Sequence, residues 1–286
     1  MSVGGKTKVA GVLGWPVEHS LSPRLHGFWL AEHGIDGVMV PLPVRPEHFA
    51  DALHALPKLG FVGASVTLPH KEAALKLADD VEPLARRIGA VNALIVRPDG
   101  TVFGRNTDAF GFMESLRHGA PGWRADAGAA VVLGAGGAAR AVVAALLDAG
   151  VAEIRLVNRT AARAQELARA MNGPVVARSW AARAQALDGA ALLVNTTTLG
   201  MTGQPPLDLD LAALPATATV ADIVYVPLET PLLKAARARG LAAVDGLGML
   251  LHQGRPAFAA WFGLEPKVTP ALRAFVLAGQ SGQRNG

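Results

Sequence analysis

The run Val132-Leu133-Gly134-Ala135-Gly136-Gly137-Ala138-Ala139-Arg140 constrains this chain more than any other stretch. It reads Gly-x-Gly-x-x-Ala, with an apolar run before it and an Ala-rich helical run after it. A strand ending at Leu133 must turn sharply at Gly134. Gly136 has no Cβ, so a pyrophosphate can approach its backbone, and Ala139 is small enough for close helix–strand packing. The helix that follows turns unsatisfied N–H groups and the positive end of its dipole toward the phosphates. Gly134, Ala135, Gly136, Gly137 and Ala138 are therefore candidate dinucleotide-binding residues. The pattern alone is weak in a chain with 32 glycines. Its strand–turn–helix setting and the next strand give it weight.

That next strand, Glu153–Val157, runs into Asn158-Arg159-Thr160, with Arg163 just beyond. A site for NAD usually ends this strand in Asp or Glu, which holds the ribose 2′-hydroxyl. Here Asn158 stands in that place and Arg159 follows. A guanidinium matches a 2′-phosphate in charge and geometry, where a carboxylate would repel it. NADP is the expected cofactor, with Arg159 first and Arg163 second on the phosphate. The alternative reading makes both arginines solvated residues of a helix start.

A chain of 286 residues, half of them apolar, has room for one large or two modest domains. Its net charge of +4 suits an acidic small molecule. The basic residues are too scattered, and too free of aromatic interleaving, for a nucleic-acid surface. The lack of cysteine excludes disulfides, thiolate catalysis and Cys-ligated zinc, and no metal site is expected. Gly128–Ala149 is the most apolar stretch, but Arg140 and Asp148 interrupt it, so a buried strand–turn–helix explains it better than a membrane span. No apolar signal core opens the chain, and the polar tail after Gly279 is expected to fray.

Two α/β blocks follow from the hydrophobic patterning. In the first, strands are expected at Val9–Leu13, Gly37–Val40 and Phe61–Thr67, and helices at Pro23–His33, Pro46–Leu56 and His70–Leu77. Ala93–Val96 and Thr101–Phe103 form a hairpin around Asp99-Gly100, whose sequence suits a tight turn with positive φ. In the second, strands are expected at Ala130–Leu133, Glu153–Val157, Val175–Ala177, Leu192–Asn195, Val220–Ile223 and Ala242–Val244. Short helices at Met249–His252, Pro256–Trp261 and Pro270–Leu277 then return to the first block. The expected domains are residues 1–109 with 246–286, and residues 110–245 as a doubly wound parallel sheet, with a cleft between them.

Polar clusters punctuate this apolar chain. In His19-Ser20-Leu21-Ser22-Pro23, Ser22 suits an N-cap before a helix-starting proline. The same two hydroxyls, Ser20 and Ser22, would also suit a carboxylate, although from this segment alone capping is the simpler reading. Lys71 falls just inside a helix start, the end that cations avoid, and Thr67 ends the strand before it. Asn92 follows Gly89-Ala90-Val91. Asp108, in Asn106-Thr107-Asp108, either holds a substrate hydroxyl or caps a helix near Phe110. Gln253 offers both a donor and an acceptor.

In order, these segments resemble the shikimate dehydrogenase family along nearly the whole chain. They are HSLSP (19–23), VTLPHK (66–71), GAVN (89–92), NTD (106–108), GAGGAARA (134–141), NRT (158–160), NTTTLGM (195–201), DIVYVPLETPLL (222–233) and GMLLHQG (248–254). Each is weak alone; together, in the family's order, they are specific. The resemblance implies a two-domain, NADP-dependent oxidoreductase of chorismate and aromatic amino acid biosynthesis that interconverts 3-dehydroshikimate and shikimate. It implies that Ser20 and Ser22 hold the substrate carboxylate, that Thr67, Asn92, Tyr225 and Gln253 contact substrate, and that Lys71 and Asp108 are the acid–base pair. Thr196 and Gly246 join Asn158, Arg159, Thr160 and Arg163 as cofactor residues. The chain departs from the family pattern at Gly27, Ser65, Ala93 and Ala109, where Asn, Asn, Thr and Gly are common. Ser65 and Ala93 bear on substrate geometry, and neither removes an acid–base group. A cytoplasmic enzyme is expected, with a homodimer as the candidate assembly and no nucleic-acid or membrane partner.

The residue types suit a ketone reduction. The nicotinamide donates hydride, and Lys71 protonates or stabilises the developing alkoxide. The alternatives are a quinate or aminoshikimate dehydrogenase of the same fold, or a non-catalytic ligand sensor. The sensor would have no chemical need for Lys71.

Overall fold

The structure, a computed structural model, describes residues 3–282. It divides into two compact units, Met1–Thr107 with Gln253–Gly286, and Asp108–His252. The division falls inside one continuous helix. The boundaries expected at 109/110 and 245/246 stand two and seven residues from the divisions at 107/108 and 252/253.

The first unit holds strands β1 (Lys8–Gly14), β2 (Gly37–Pro43), β3 (Phe61–Val66), β4 (Asp80–Val81), β5 (Ala93–Val96) and β6 (Val102–Arg105). Its helices are α1 (Ser22–Glu32), α2 (Phe49–Ala55), α3 (Lys71–Leu77) and α4 (Pro83–Ile88). The sheet order is β2-β1-β3-β5-β6-β4. β1 runs parallel to β2 and β3, and β5 turns the sheet antiparallel. Leu13 lies beside Val66, Ser65 beside Ala93, and Ala93 beside Arg105. One end of the sheet therefore gathers the β1–α1 loop, the β3–α3 turn, the approach to β5 and the exit from β6.

The second unit holds α5 (Asp108–Gly119), β7 (Ala129–Leu133), α6 (Gly137–Asp148), β8 (Ile154–Asn158), α7 (Ala161–Met171), β9 (Val175–Ser179), β10 (Ala190–Asn195), β11 (Thr219–Asp222), α8 (Pro231–Ala238) and β12 (Ala242–Val244). All its strand pairs are parallel, in the order β12-β11-β10-β7-β8-β9. β7 is buried along its whole length, as a central strand covered on both faces must be. Ala139 on α6 has no exposed surface, which fits the close packing expected of it. The chain ends in α9 (Gly246–Phe262) and α10 (Pro270–Gly282).

Several expectations change. Helix α1 starts at Ser22 itself, with Leu21 in the cap position and no side-chain cap. The Ser20 hydroxyl accepts from the Ser22 N–H at 3.3 Å, so Ser20, not Ser22, meets the exposed backbone donor. Asp108 likewise opens α5 instead of capping a later start. The 97–101 turn is closed by Arg97 N–H donating to Thr101 O, and only Gly100 has positive φ. It is thus a three-residue loop with a left-handed last residue, not a two-residue turn. β4 and α4 were not foreseen; two residues of strand and six of helix carry little periodicity.

The two helices expected at 249–252 and 256–261 are one, with Pro256 inside. Proline removes one intrahelical bond, but burial of Leu250, Leu251, Ala257, Phe258, Trp261 and Phe262 holds both halves in place. Trp261 Nε1 also donates to Leu94 O at 2.9 Å, fixing the second half against β5. Helix α10 returns to α1, where Arg24 Nε donates to Phe275 O at 2.7 Å. Its backbone stays helical to Gly282; the rest of the expected frayed tail lies outside the described residues.

Beneath α1, His26 is wholly buried among Trp29, Phe258 and Trp261, with ring centres 5.2–5.8 Å away. Its Nδ1 has no hydrogen-bond partner among the described residues. Burial pulls the imidazole down to about 3, so it is neutral at physiological pH. Among the described residues no helix is long and apolar enough to cross a membrane.

Candidate active site

In the first unit the predicted polar residues converge on the sheet end described above. Thr67 follows β3, and its N–H donates to Leu13 O at 2.9 Å. Lys71 is the first residue of α3. Its carbonyl accepts from Val91 N–H at 2.9 Å, which ties the start of α3 to the residue before Asn92. The turn between Thr67 and Lys71 is pinned by buried His70, whose Nε2 lies 2.7 Å from Val44 O and whose ring stacks on Phe49.

Asn92 is buried and organises its neighbours. Its Oδ1 accepts from the Thr107 N–H at 2.7 Å, and its Nδ2 lies 3.0 Å from Thr107 Oγ1 and 3.3 Å from Gln253 Oε1. Beside it, Asn106 Nδ2 donates to Ala90 O at 2.9 Å. The structure therefore brings Asn92 and Gln253 together from positions 161 residues apart. Thr107, not singled out from sequence, completes this group. Ser20, in the β1–α1 loop, accepts from the backbone N–H of Ser22 at the first position of α1, and both residues are half-buried. In the second unit Asp108 is buried at the first position of α5.

The carboxyl ends of the second sheet carry the dinucleotide motif. Leu133 lies beside Val157 and Asn195, so Gly134, Asn158 and Thr196 leave adjacent strands at one level. Gly134 has φ +110°, and a Cβ there would stand 2.5 Å from Thr196 Oγ1. That hydroxyl donates to Leu133 O at 2.6 Å, so Thr196 is fixed against the turn. The first intrahelical bond of α6 runs from Arg140 N to Gly136 O. The N–H groups of Gly137, Ala138 and Ala139 consequently have no intrahelical acceptor. A Cβ on Gly136 or Gly137 would meet nothing within 4 Å. Open backbone donors at a helix start are the chemistry a pyrophosphate requires. Asn158 Nδ2 donates to Thr160 O at 2.9 Å and shapes the β8–α7 loop. Arg159 on that loop and Arg163 in the first turn of α7 are exposed and make no ion pair among the described residues. The residues present thus fit NADP: donors for the pyrophosphate, and cations in place of a carboxylate at the ribose end.

Gly246 is buried at the start of α9, its Cα packed on the Ile223 carbonyl. Tyr225 follows β11, and burial pushes its phenol up. Sequence reasoning missed the group that holds this segment. Asp222 Oδ1 accepts from Asn195 Nδ2 at 2.9 Å and from Val224 N–H at 3.0 Å, and Oδ2 accepts from Thr230 Oγ1 at 2.7 Å. Burial raises this carboxyl to about 6, against the lowering effect of its three donors. Asn195 and Asp222 are register partners at the ends of apolar strands. Two polar residues at that position are the signal that could have found them.

Comparison with known proteins agrees along the chain. Residues 12–94 match the shikimate dehydrogenase substrate binding domain, 123–199 match shikimate / quinate 5-dehydrogenase, and 246–274 match the shikimate 5′-dehydrogenase C-terminal domain. The chain is 65% identical over 274 residues to the shikimate dehydrogenase (NADP(+)) of Paramagnetospirillum magneticum, covering 96% of this chain and 99% of that one. Among solved structures it is similar to shikimate 5-dehydrogenase from Thermus thermophilus in complex with NADP(H) and shikimate. That match has 40% identity and TM-score 0.85, covering 95% of this chain and 99% of the other. It is also similar to quinate dehydrogenase from Corynebacterium glutamicum in complex with NAD, at 33% identity and TM-score 0.89, over 95% and 99% of the two chains.

Proposed function

The chain belongs to the shikimate dehydrogenase family, and from that premise we propose that it catalyses the reversible, NADPH-dependent reduction of 3-dehydroshikimate to shikimate. The observation that carries this reading is the gathering of Thr67, Lys71, Asn92 and Gln253 at one end of the first sheet. It pairs a set of hydroxyl- and amide-bearing side chains with one amine. A polyhydroxylated ring acid needs that mixture of donors and acceptors.

In this reading Ser20 and Ser22 hold the substrate carboxylate, and Asn92, Thr67, Tyr225 and Gln253 hold its hydroxyls. Gly134–Ala138, Thr196 and Gly246, with Asn158, Arg159, Thr160 and Arg163 around the 2′-phosphate, would hold NADPH, which would supply the hydride. The Lys71 Nζ delivers a proton to the carbonyl oxygen as it gains negative charge, and Asp108 orients the neighbouring hydroxyl and the amine. We further propose a cytoplasmic location, where NADPH-driven biosynthesis draws its reductant, and a homodimer.

Quinate oxidation with NAD is the competing reading, since a quinate dehydrogenase shares this fold. Asn158-Arg159, in place of an acidic residue at the end of β8, speaks against it. The test is NADPH oxidation with 3-dehydroshikimate, followed by side-by-side rates with shikimate and quinate. Rapid turnover of shikimate with NADP is expected. No NADPH oxidation, or faster quinate turnover with NAD, would overturn the proposal.

A further inference from the structure

On the second unit, Glu114, His118 and His252 form a cluster that the proposed reaction does not use. Glu114 and His118 lie one turn apart on α5, and His252 comes from α9. One ligand atom from each lies within 4.8 Å of the other two. The helices can approach because Gly248, one turn before His252, packs directly on the Ser115 hydroxyl, where a Cβ would collide. Gly119 similarly admits Val244. The glycine and the histidine of the GMLLHQG segment thus act together: the first allows the crossing, and the second reaches α5.

We propose that Glu114, His118 and His252 form a binding site for one borderline divalent cation of the zinc class. The tautomer of His118 is set by its own helix. Its Nδ1 lies 2.8 Å from the Glu114 carbonyl oxygen, which can only accept, so Nδ1 carries the proton. The lone pair of His118 then lies on Nε2, the arrangement found where a histidine binds a metal. The His118 and His252 ring centres are 4.7 Å apart with planes tilted by 32°. Two imidazoles sharing one ion through bonds of about 2.1 Å hold their ring centres roughly 5 Å apart. The donor atoms need to close from within 4.8 Å to about 3.4 Å for tetrahedral binding. Exposed His118 and half-exposed Glu114 have the freedom to do so, and buried His252 is the fixed point.

Two neutral imidazoles and one carboxylate give a donor set of charge −1. This suits Zn²⁺, Co²⁺ or Ni²⁺, and is the wrong chemistry for the oxygen-seeking Mg²⁺ and Ca²⁺. Arg117 Nη1 lies 3.0 Å from Glu114 Oε1, so a bound ion would share this carboxylate with the guanidinium. With three protein ligands, the fourth position opens to water on the His118 side. A bound ion would cross-link α5 to α9.

The test uses the full chain, stripped of metal with a chelator and titrated with ZnCl₂ by calorimetry. CoCl₂ serves as a visible-absorption probe of coordination. One Zn²⁺ per chain is expected, with a Tm increase of about 4 °C at a hundredfold excess over Kd. His118→Ala and Glu114→Gln change exposed or half-exposed side chains. Each should weaken zinc binding by at least about tenfold while leaving the Tm of the metal-free protein within about 1 °C. His48→Ala, at an exposed histidine elsewhere, should leave binding unchanged. Failure of the wild-type chain to bind zinc saturably, or equal binding by His118→Ala, would overturn the site. Either result leaves the dehydrogenase reading untouched, because none of the three residues is placed at the reacting atoms.

Discussion

The two units finish their sheets with different materials. At the end of the first sheet the polar groups are side chains: Asn92, Thr107 and Gln253 are linked by hydrogen bonds drawn from distant parts of the chain. At the end of the second they are backbone N–H groups, left open at the start of α6, with two exposed arginines beyond β8. The contrast extends below the surface. The first unit buries a neutral imidazole in an aromatic cage with no partner for Nδ1, whereas the second buries a carboxyl and gives it three donors. Burial opposes charge in both places. It therefore acts with opposite sign on the pH scale: the imidazole is held down and the carboxyl is held up.

The largest consequence falls on the first unit. Between pH 6.5 and about 3 the unfolded chain protonates His26 and the folded chain does not. The folded value is depressed, so this contribution is whole above pH 6.5 and is lost as pH falls, by roughly 5 kcal/mol in full. His26→Met should flatten the acid limb of stability, followed by denaturant midpoint against pH. An unchanged limb would remove the imidazole from that half of the contrast. Next comes chemistry on the same side. Lys71→Ala should lower kcat about a thousandfold with little change in the KM for shikimate. Near-normal turnover would leave the first sheet end as a binding surface only.

On the second unit the sign reverses. Asp222 is raised from 3.8 to about 6, so its contribution is whole below pH 3.8 and declines by roughly 3 kcal/mol as pH rises through 6. Asp222→Asn keeps an acceptor for Asn195 and Val224. It should make the protein more stable than wild type above pH 6, and a variant less stable there would show that the carboxylate is better compensated than its burial suggests. The smallest effect is at the surface. Arg159→Ala should raise the KM for NADPH by about 10- to 100-fold, the worth of one charge-assisted bond, and leave NADH unaffected. Equal effects on both would separate Arg159 from the 2′-phosphate.

How much of this could be read in the sequence follows the same division. A backbone site needs consecutive residues in a fixed local geometry, so Gly134–Ala139 announced both the second sheet and its cofactor end. The parallel strands around it, long and apolar, were legible for the same reason. The side-chain site was legible only through its resemblance to a family. Nothing local says that Asn92 meets Gln253, or that Thr107 joins them. Asp222 was missed because its role is to brace a segment, and its three partners come from β10, its own loop and the start of α8. Pro256 misled because a local helix-breaking rule was outweighed by the apolar surface on either side of it, and Ser22 because the helix began one residue earlier than a cap requires.

The β8–α7 loop has one further consequence. Its shape is kept by Asn158 bonding to the Thr160 carbonyl, while the exposed side chains of Arg159 on the loop and Arg163 in the first turn of α7 make no ion pair among the described residues. On the proposed reading, a lineage would exchange one reductant for another at two exterior positions, outside the packed interior of the second unit.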